Sequence, residues 1–368
     1  MDPLQRQLAP IAAQFQCAGR LVEVLPLGAG HINDTYLLAY DGCPGRRYCV
    51  LQRINHDVFK DPERLMENLV RVTAHLQRRR EDEGAGMVVQ PFMTHAGRHW
   101  HRDERGSTWR LLNAIDHGHT IDGVPSARQI YQASKAFGAF LRLVDDLPGP
   151  PLHETIPGFH DGPQRYDVLP ALVAGDPCAR VARARPEIQF VTEQRDILFR
   201  PDRLRRQGAL PIRVTHNDTK INNVLLHEET DESLCVIDLD TVMPGLALYD
   251  VGDIVRTAVS TVAEDERDLS LVQVDLGRFE NIVSGFLQGA GDALTKAEQA
   301  SLVWGGQYMT LIIGMRFLID FLQGDTYFKT DRVEHNLDRC RTQFRLVQLL
   351  MDQEEQMREI VRRWATEL

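Results

Sequence analysis

Three short β-prone runs, Ile212-Arg-Val-Thr215, Val224-Leu-Leu226 and Leu234-Cys-Val-Ile237, sit close together with mostly polar residues between them. Such runs fold as paired strands, and side chains on their connecting loops are then rigidly held and partly exposed. Glu228-Glu-Thr-Asp-Glu-Ser233 reads as the turn between the last two strands. The first connection carries His216-x-Asp218-x-x-x-x-Asn223, and the third run ends in Asp238. An ordinary hairpin with Asn and Asp in its turns explains a lone H-x-D. It leaves unexplained the asparagine in register and the strand that ends on an aspartate.

That spacing is the one a phosphoryl-transfer loop uses. An aspartate at position 218 accepts or orients the proton of an attacking hydroxyl. Asn223 and Asp238 offer the hard oxygen ligands that Mg²⁺ prefers, with nucleotide phosphates and water completing its shell. The chemistry needs little covalent participation from protein: alignment of the hydroxyl and neutralisation of phosphate charge suffice. The cofactors this implies are ATP and Mg²⁺.

Upstream, Leu21–Leu27, Thr35–Ala39 and Tyr48–Ile54 read as strands separated by Gly- and Pro-containing turns. A helix follows Asp61-Pro62, with Leu65, Leu69, Val72 and Leu76 at helical spacing, and the mixed-charge run Arg78–Glu83 reads as a solvated turn. Met87–Pro91, His99–His101 and Ser107–Ala114 complete a small sheet. From Pro125 the pattern turns helical: Ile130, Ala133, Phe137, Phe140, Leu141 and Val144 form a stripe capped by Ser126 and stopped by Pro148-Gly-Pro-Pro151. Helical patterns return at 278–287, 297–322 and 343–364. The division expected is an N-terminal nucleotide-binding lobe over 1–115 and a C-terminal catalytic and substrate-binding lobe over 116–368, in an α+β fold.

Between the first two strands, Gly28-Ala-Gly30-His31-Ile-Asn33 occupies the place of a loop over nucleotide phosphates. Glycines there let backbone N–H groups approach phosphate oxygens, although a plain hairpin turn accounts for Gly28 and Gly30 equally well. His31 and Asn33 are what such a turn does not require. The third strand carries Gln52 where protein kinases place a phosphate-binding lysine. Gln52 can donate a hydrogen bond but adds no charge, and the adjacent Arg53 belongs to the opposite face. No D-F-G or A-P-E follows Asp238, which disfavours a protein kinase governed by an activation loop.

The formal charge of -10 argues against nucleic-acid or anionic-membrane partners, leaving a small-molecule substrate and a nucleotide as the partners expected. Six cysteines show no zinc spacing. The N-terminus has no basic patch followed by an apolar stretch, and no run of about 18 apolar residues is read anywhere in the chain, so the cytoplasm is the expected location.

Longer strings sharpen the reading: Gly30-His-Ile-Asn33, Phe159-His-Asp-Gly-Pro163, Val214-Thr-His-Asn-Asp-Thr-Lys220, Ile237-Asp-Leu-Asp-Thr-Val-Met-Pro-Gly245, and Gly314-Met-Arg-Phe-Leu318 with Gly324-Asp-Thr-Tyr-Phe328. In these the chain resembles the aminoglycoside phosphotransferase and choline kinase-like superfamily, and within it the N-acetylhexosamine 1-kinases. The resemblance implies a bilobal protein-kinase-like fold, with a small β-rich N-lobe, a larger mostly helical C-lobe and the active site in the cleft. It implies a sugar acceptor held by Arg316 and Tyr327, with His31 and Asn33 reaching the phosphate or sugar and Gly28, Gly30 and Gln52 serving the nucleotide. By periodicity alone, Arg316 reads rather as a surface arginine and Tyr327 as a half-buried packing residue. Asp250 and Asp253 read as structural anchors. Two alternatives stay open: another hydroxyl acceptor (aminoglycoside, choline or homoserine), and a non-catalytic pseudokinase, motivated by the absent lysine and opposed by the intact Asp218, Asn223 and Asp238.

Overall fold

The computed structural model describes residues 2–28, 32–42, 45–83, 86–121 and 123–367. Gly30 and His31 of the expected phosphate loop lie outside the described residues. The chain forms two compact units. The first comprises Met1–Gly118, Asp146–Pro157 and Leu234–Met243; the second comprises His119–Asp145, Gly158–Ser233 and Pro244–Leu368.

In the first unit, β1 (Arg20–Pro26), β2 (Asp34–Asp41), β3 (Arg46–Arg53), β4 (His101–Arg102) and β5 (Thr108–Asn113) make an antiparallel sheet in the order β1-β2-β3-β5-β4. Side chains alternate across it: Cys49 and Leu51 of β3 are fully buried, while their neighbours Tyr48 and Gln52 are more exposed. Helix α1 (Pro3–Ala12) covers one face, and Leu8, Phe15, Leu38, Leu51, Trp109 and Leu111 share its core. Met87–Pro91, expected as a strand, lies beside β5 through an isolated bridge from Pro91 to Leu112. A proline without an N–H cannot continue a ladder.

Helix α2 (Pro62–Glu83) buries Leu65, Leu69, Val72 and Leu76 as the spacing required. It also absorbs Arg78–Glu83, expected as a turn, because Arg and Glu are good helix formers and nothing in the run breaks the helix.

The second unit holds most of the helices. They are α3 (Ala127–Val144), α4 (Gly162–Gly175), α5 (Arg185–Glu193), α6 (Arg195–Arg206), α7 (Ala247–Ala258), α8 (Leu276–Ala290), α9 (Lys296–Gln323), α10 (His335–Asp352) and α11 (Glu354–Glu367). This unit also holds the short strands β7 (Arg213–Thr215) and β8 (Val224–His227), whereas β9 (Ser233–Val236) falls almost wholly in the first unit and β6 (Gly118–His119) and β10 (Met243–Gly245) each begin on a first-unit residue. Ser126 caps α3 in a capping box with Gln129. The expected helix over 343–364 is two helices, parted at Gln353, whose φ of -103° and ψ of 10° leave the helical region. Pro170 inside α4 and Pro201 inside α6 interrupt the local pattern, so neither helix was anticipated.

Two packing features position the site. Helices α3 and α8 cross with almost no side chain between them: a Cβ on Gly285 would lie 2.4 Å from the Tyr131 carbonyl oxygen, and one on Gly289 would lie 2.1 Å from that of Lys135. Helix α9 is long and apolar enough to cross a membrane by length and composition, yet 89% of its apolar window is buried inside the protein. It packs against α4, α6, α7, α10 and α11.

Candidate active site

In the second unit β7 leads into a loop whose backbone is fixed from beneath. Asp250, on α7 and fully buried, accepts from the N–H of His216 at 3.0 Å through one oxygen and of Asn217 at 2.8 Å through the other. Thr219 Oγ1 donates to the Asp250 carbonyl at 2.5 Å. Asn217 takes a left-handed conformation with φ 66°, which an asparagine tolerates. Its side chain bonds back to Thr215, and a Cβ on Gly245 would lie 2.2 Å from Thr215 Oγ1, so only glycine fits there. Burial pushes the Asp250 carboxyl up to about 7, against the two N–H bonds that favour its charge.

Two buried histidines brace the loop. His216 lies against the edges of Phe137 and Phe140, with ring centroids at 5.3 and 5.7 Å. His160 Nε2 donates to the Asn217 carbonyl at 2.8 Å, while Phe159 and Tyr249 enclose its ring. Burial lowers the His160 pKa to about 4, so the ring is neutral.

On this platform Asp218 is one-fifth exposed, with 19% of its side chain accessible. Lys220 Nζ sits 3.1 Å from Oδ1, and Asn223 Nδ2 donates to Oδ2 at 3.3 Å and to the Asp218 carbonyl at 2.7 Å. Burial works against the charge of Asp218, but the Lys220 ammonium overcomes it and holds the carboxyl below its ordinary value. Asp218 in turn raises the Lys220 pKa. The result is an ionised carboxylate clamped at both oxygens by donors that leave it able to accept a proton. Because Asn223 turns its nitrogen toward Asp218, its Oδ1 faces away as a hard oxygen donor. Lys220, two residues after Asp218, was part of the sequence string but had been given no role.

Arg316 and Tyr327 come together, with the guanidinium 3.5 Å from the Tyr327 hydroxyl. Arg316 is 9% exposed and Tyr327 57%, so the arginine is neither on the surface nor in a carboxylate ion pair with any described residue. Its guanidinium faces the rings of Phe159, Tyr327 and Phe328 at 5.3, 5.6 and 5.4 Å. Burial lowers its pKa to about 10. The loop bearing Tyr327 hangs on Asp320, which the sequence reading missed. Asp320 accepts from the backbone N–H of Thr326, Tyr327 and Phe328 at 2.9, 2.8 and 3.0 Å and from Asn336 Nδ2 at 2.8 Å. The available signal was an aspartate just before the Gly324 helix stop and a short polar turn.

In the first unit, Asn33 Nδ2 donates to Asp240 Oδ2 at 2.7 Å and its Oδ1 accepts from the Asn55 N–H at 2.9 Å. Gln52 accepts from Arg110 Nε at 2.9 Å and donates to Thr35 at 3.2 Å. Arg110, 2% exposed, pairs with Asp240. The strand therefore presents Gln52 as one member of an Asn33–Asp240–Arg110 network, and its nearest cation is Arg110 on β5. Arg53 pairs with Asp34 instead. Gly28 has φ 67° and open space around it, a conformation that favours glycine. Asp238 is exposed and left-handed, with φ 58°, just beyond β9.

Solved structures share this fold. One of a microcompartment-associated aminopropanol kinase is 17% identical, with TM-score 0.61, covering 95% of this chain and 98% of that one. An aminoglycoside phosphotransferase from Alicyclobacillus acidocaldarius is 12% identical, with TM-score 0.57 and coverages of 97% and 96%. A spectinomycin phosphotransferase, solved with ADP and spectinomycin, is 14% identical, with TM-score 0.57 and coverages of 96% and 98%. Residues 23–280, which include β2 to β5, the Asp218 loop and Asp238, match the APH phosphotransferase enzyme family, and the chain belongs to that family.

Proposed function

We propose that the protein is a small-molecule kinase that transfers the γ-phosphoryl group of ATP to the anomeric hydroxyl of an N-acetylhexosamine, giving the sugar 1-phosphate. The observation that carries the phosphoryl-transfer part is the clamped, ionised Asp218. Its carboxylate orients the acceptor hydroxyl and takes its proton as the oxygen attacks phosphorus. Lys220 keeps that carboxylate charged and adds positive charge beside the reacting groups.

Asn223, through Oδ1, and Asp238 are the residues this reading assigns to Mg²⁺. An amide oxygen and a carboxylate suit that hard cation, which when bound neutralises phosphate charge. His31, Gly28, Gly30, Asn33 and Gln52 keep their assignments around the nucleotide and the reacting groups, and the location proposed is the cytoplasm.

The sugar part rests on Arg316 and Tyr327. A neutral polyhydroxyl ring is held by directional hydrogen bonds and a flat ring surface, which a buried guanidinium without a carboxylate and an exposed tyrosine supply. The second reading keeps the reaction and changes the acceptor to an amino alcohol or aminoglycoside, because the structures of like fold carry those names. ADP release over a panel of N-acetylhexosamines, ethanolamine, choline and aminoglycosides separates the two, and phosphorus NMR identifies the bond formed. A sugar 1-phosphate supports the first reading; turnover of amines alone removes it.

A further inference from the structure

Two cysteines with no spacing relation in the sequence come together in the first unit. Cys17, half-buried in the segment between α1 and β1, has its Sγ 3.6 Å from that of Cys49, fully buried in the middle of β3. They stand 32 residues apart in the chain, so folding alone makes the contact. Cys49 belongs to the core beneath α1 with Leu8, Phe15, Tyr40 and Leu51, and Cys17 packs against that core.

The backbone on each side fixes the pair. Cys49 is held in the ladder between Leu38 of β2 and Asn113 of β5. Before Cys17, the Gln16 N–H donates to the Met93 carbonyl at 2.8 Å, and Gln16 Nε2 donates to that of Thr94 at 2.9 Å. After it, Gly19 takes φ 113° and runs so close to β2 that a Cβ there would lie 2.7 Å from the Asp41 carbonyl oxygen. Only a movement of side chains separates the 3.6 Å of the two thiols from the about 2 Å of a disulfide.

The thiols are chemically unequal. A hydrogen bond from the Cys49 S–H, helped by the Arg47 charge, holds the Cys17 thiol below its ordinary range against the effect of burial. The same bond, together with burial, pushes Cys49 up, so it keeps its proton until Cys17 has reacted. Burial and the two sulfurs also push up the Tyr40 hydroxyl, which stays a neutral phenol.

We propose that Cys17 and Cys49 form a redox-reversible modification site, at which a peroxide oxidises the dithiol to an intramolecular disulfide. The Cys17 thiolate attacks one peroxide oxygen; an S–O bond forms, the O–O bond breaks, and the departing hydroxide takes up a proton to become water. The Cys49 sulfur then loses its proton and attacks the Cys17 sulfenic acid. The S–S bond forms as the S–O bond breaks, and a second water leaves. Two thiols thus give up two protons and two electrons while one hydrogen peroxide becomes two waters, and a thiol reductant reverses the bond. In a reducing compartment the pair rests as the dithiol and closes when oxidant arrives. The site is independent of the kinase reading: Cys49 and Leu51 face the α1 core, whereas Gln52 of the same strand joins Arg110 and Thr35 on the other face.

Trypsin separates the thiols that matter, because cleavage after Arg6, Arg20, Arg46, Arg47 and Arg53 places Cys17 in 7–20, Cys43 in 21–46 and Cys49 in 48–53. Native protein is treated with hydrogen peroxide, alkylated in denaturant and digested without reductant. Mass spectrometry should find 7–20 linked to 48–53 as the main disulfide, and dithiothreitol should return both to free thiols. The same treatment in urea removes the folded contact and lets Cys43, nearer in sequence, compete for Cys49, so the yield of the Cys17–Cys49 link should fall by about threefold or more. Cys49→Ser should stop at a Cys17 sulfenic acid trapped by dimedone, and Cys17→Ser should leave Cys49 unoxidised.

Recovery of both native peptides as free thiols after a tenfold excess of peroxide overturns the site, as does a Cys17–Cys43 link in its place. Oxidation of Cys49 at the wild-type rate in Cys17→Ser also overturns it. Should the serine variants fail to fold, wild type alone decides, since equal yields of the link in buffer and in urea would show that the fold does not build the pair.

Discussion

Asp218 has both carboxylate oxygens engaged by donors from its own loop, so removing its charge spares the scaffold and strips the group proposed to accept the proton. Asp218→Asn should lower kcat by roughly 10²-fold or more with nucleotide affinity within a few fold, and near wild-type turnover would move the proton to another group. Arg316→Ala and Tyr327→Ala should each raise the acceptor KM by about tenfold and leave that for ATP nearly fixed. Normal sugar binding by calorimetry in both folded variants would dismiss the pair. The closeness of Asn223 to Asp218 was legible because one local motif spells both. Asp250 reads as a structural anchor from sequence, but what it anchors does not, and His160 and Asp320 were missed, since all three hold backbone groups brought near only by folding: Asp250 reaches 34 residues back to His216, and His160 reaches 57 forward to Asn217.

At the scale of elements, the helical pattern was readable wherever an apolar stripe ran unbroken, as in α2, α3 and α9, and unreadable where prolines interrupt it, as in α4 and α6. The glycines of α8 gave no pattern at all, because their meaning lies in the backbone of α3 against them. Gly289→Ala should destabilise the protein by about 2 kcal/mol or more, since the obstructing atom is a main-chain oxygen that cannot turn aside; an unchanged urea midpoint would refute the close crossing. The loop brace has a pH consequence. His160 is buried neutral, with its pKa depressed to about 4 against an unfolded value near 6.5. Its contribution to stability is therefore complete above the unfolded value and is lost as pH falls through the window between the two. Urea unfolding of wild type and His160→Gln at pH 7.5 and pH 5 checks this: the wild-type advantage should shrink at the lower pH.

For the molecule as a whole, family membership and the mixed architecture with a helical C-terminal region agree with the sequence reading. Binding of nucleotide with Mg²⁺ should raise the unfolding free energy by about 2.7 kcal/mol at a hundredfold excess over Kd, and EDTA should remove most of that gain. A thermal shift indifferent to EDTA would count against the metal. The single helix α9 connects much of the second unit. Glu298 near its start binds Arg213 at the root of the Asp218 loop, Tyr308 holds the His160 carbonyl at 2.5 Å, and Arg316 and Asp320 serve the Tyr327 loop. The helix is thus a ruler: a rigid rod with a rise of about 1.5 Å and a turn of about 100° per residue sets the spacing and bearing of each attachment. Loops on either side can lengthen or shorten freely, but deleting one residue between Tyr308 and Arg316 would swing the arginine by about a quarter turn or more away from its ring cage. The length of α9 between those two side chains is therefore fixed by the two contacts it has to keep in register.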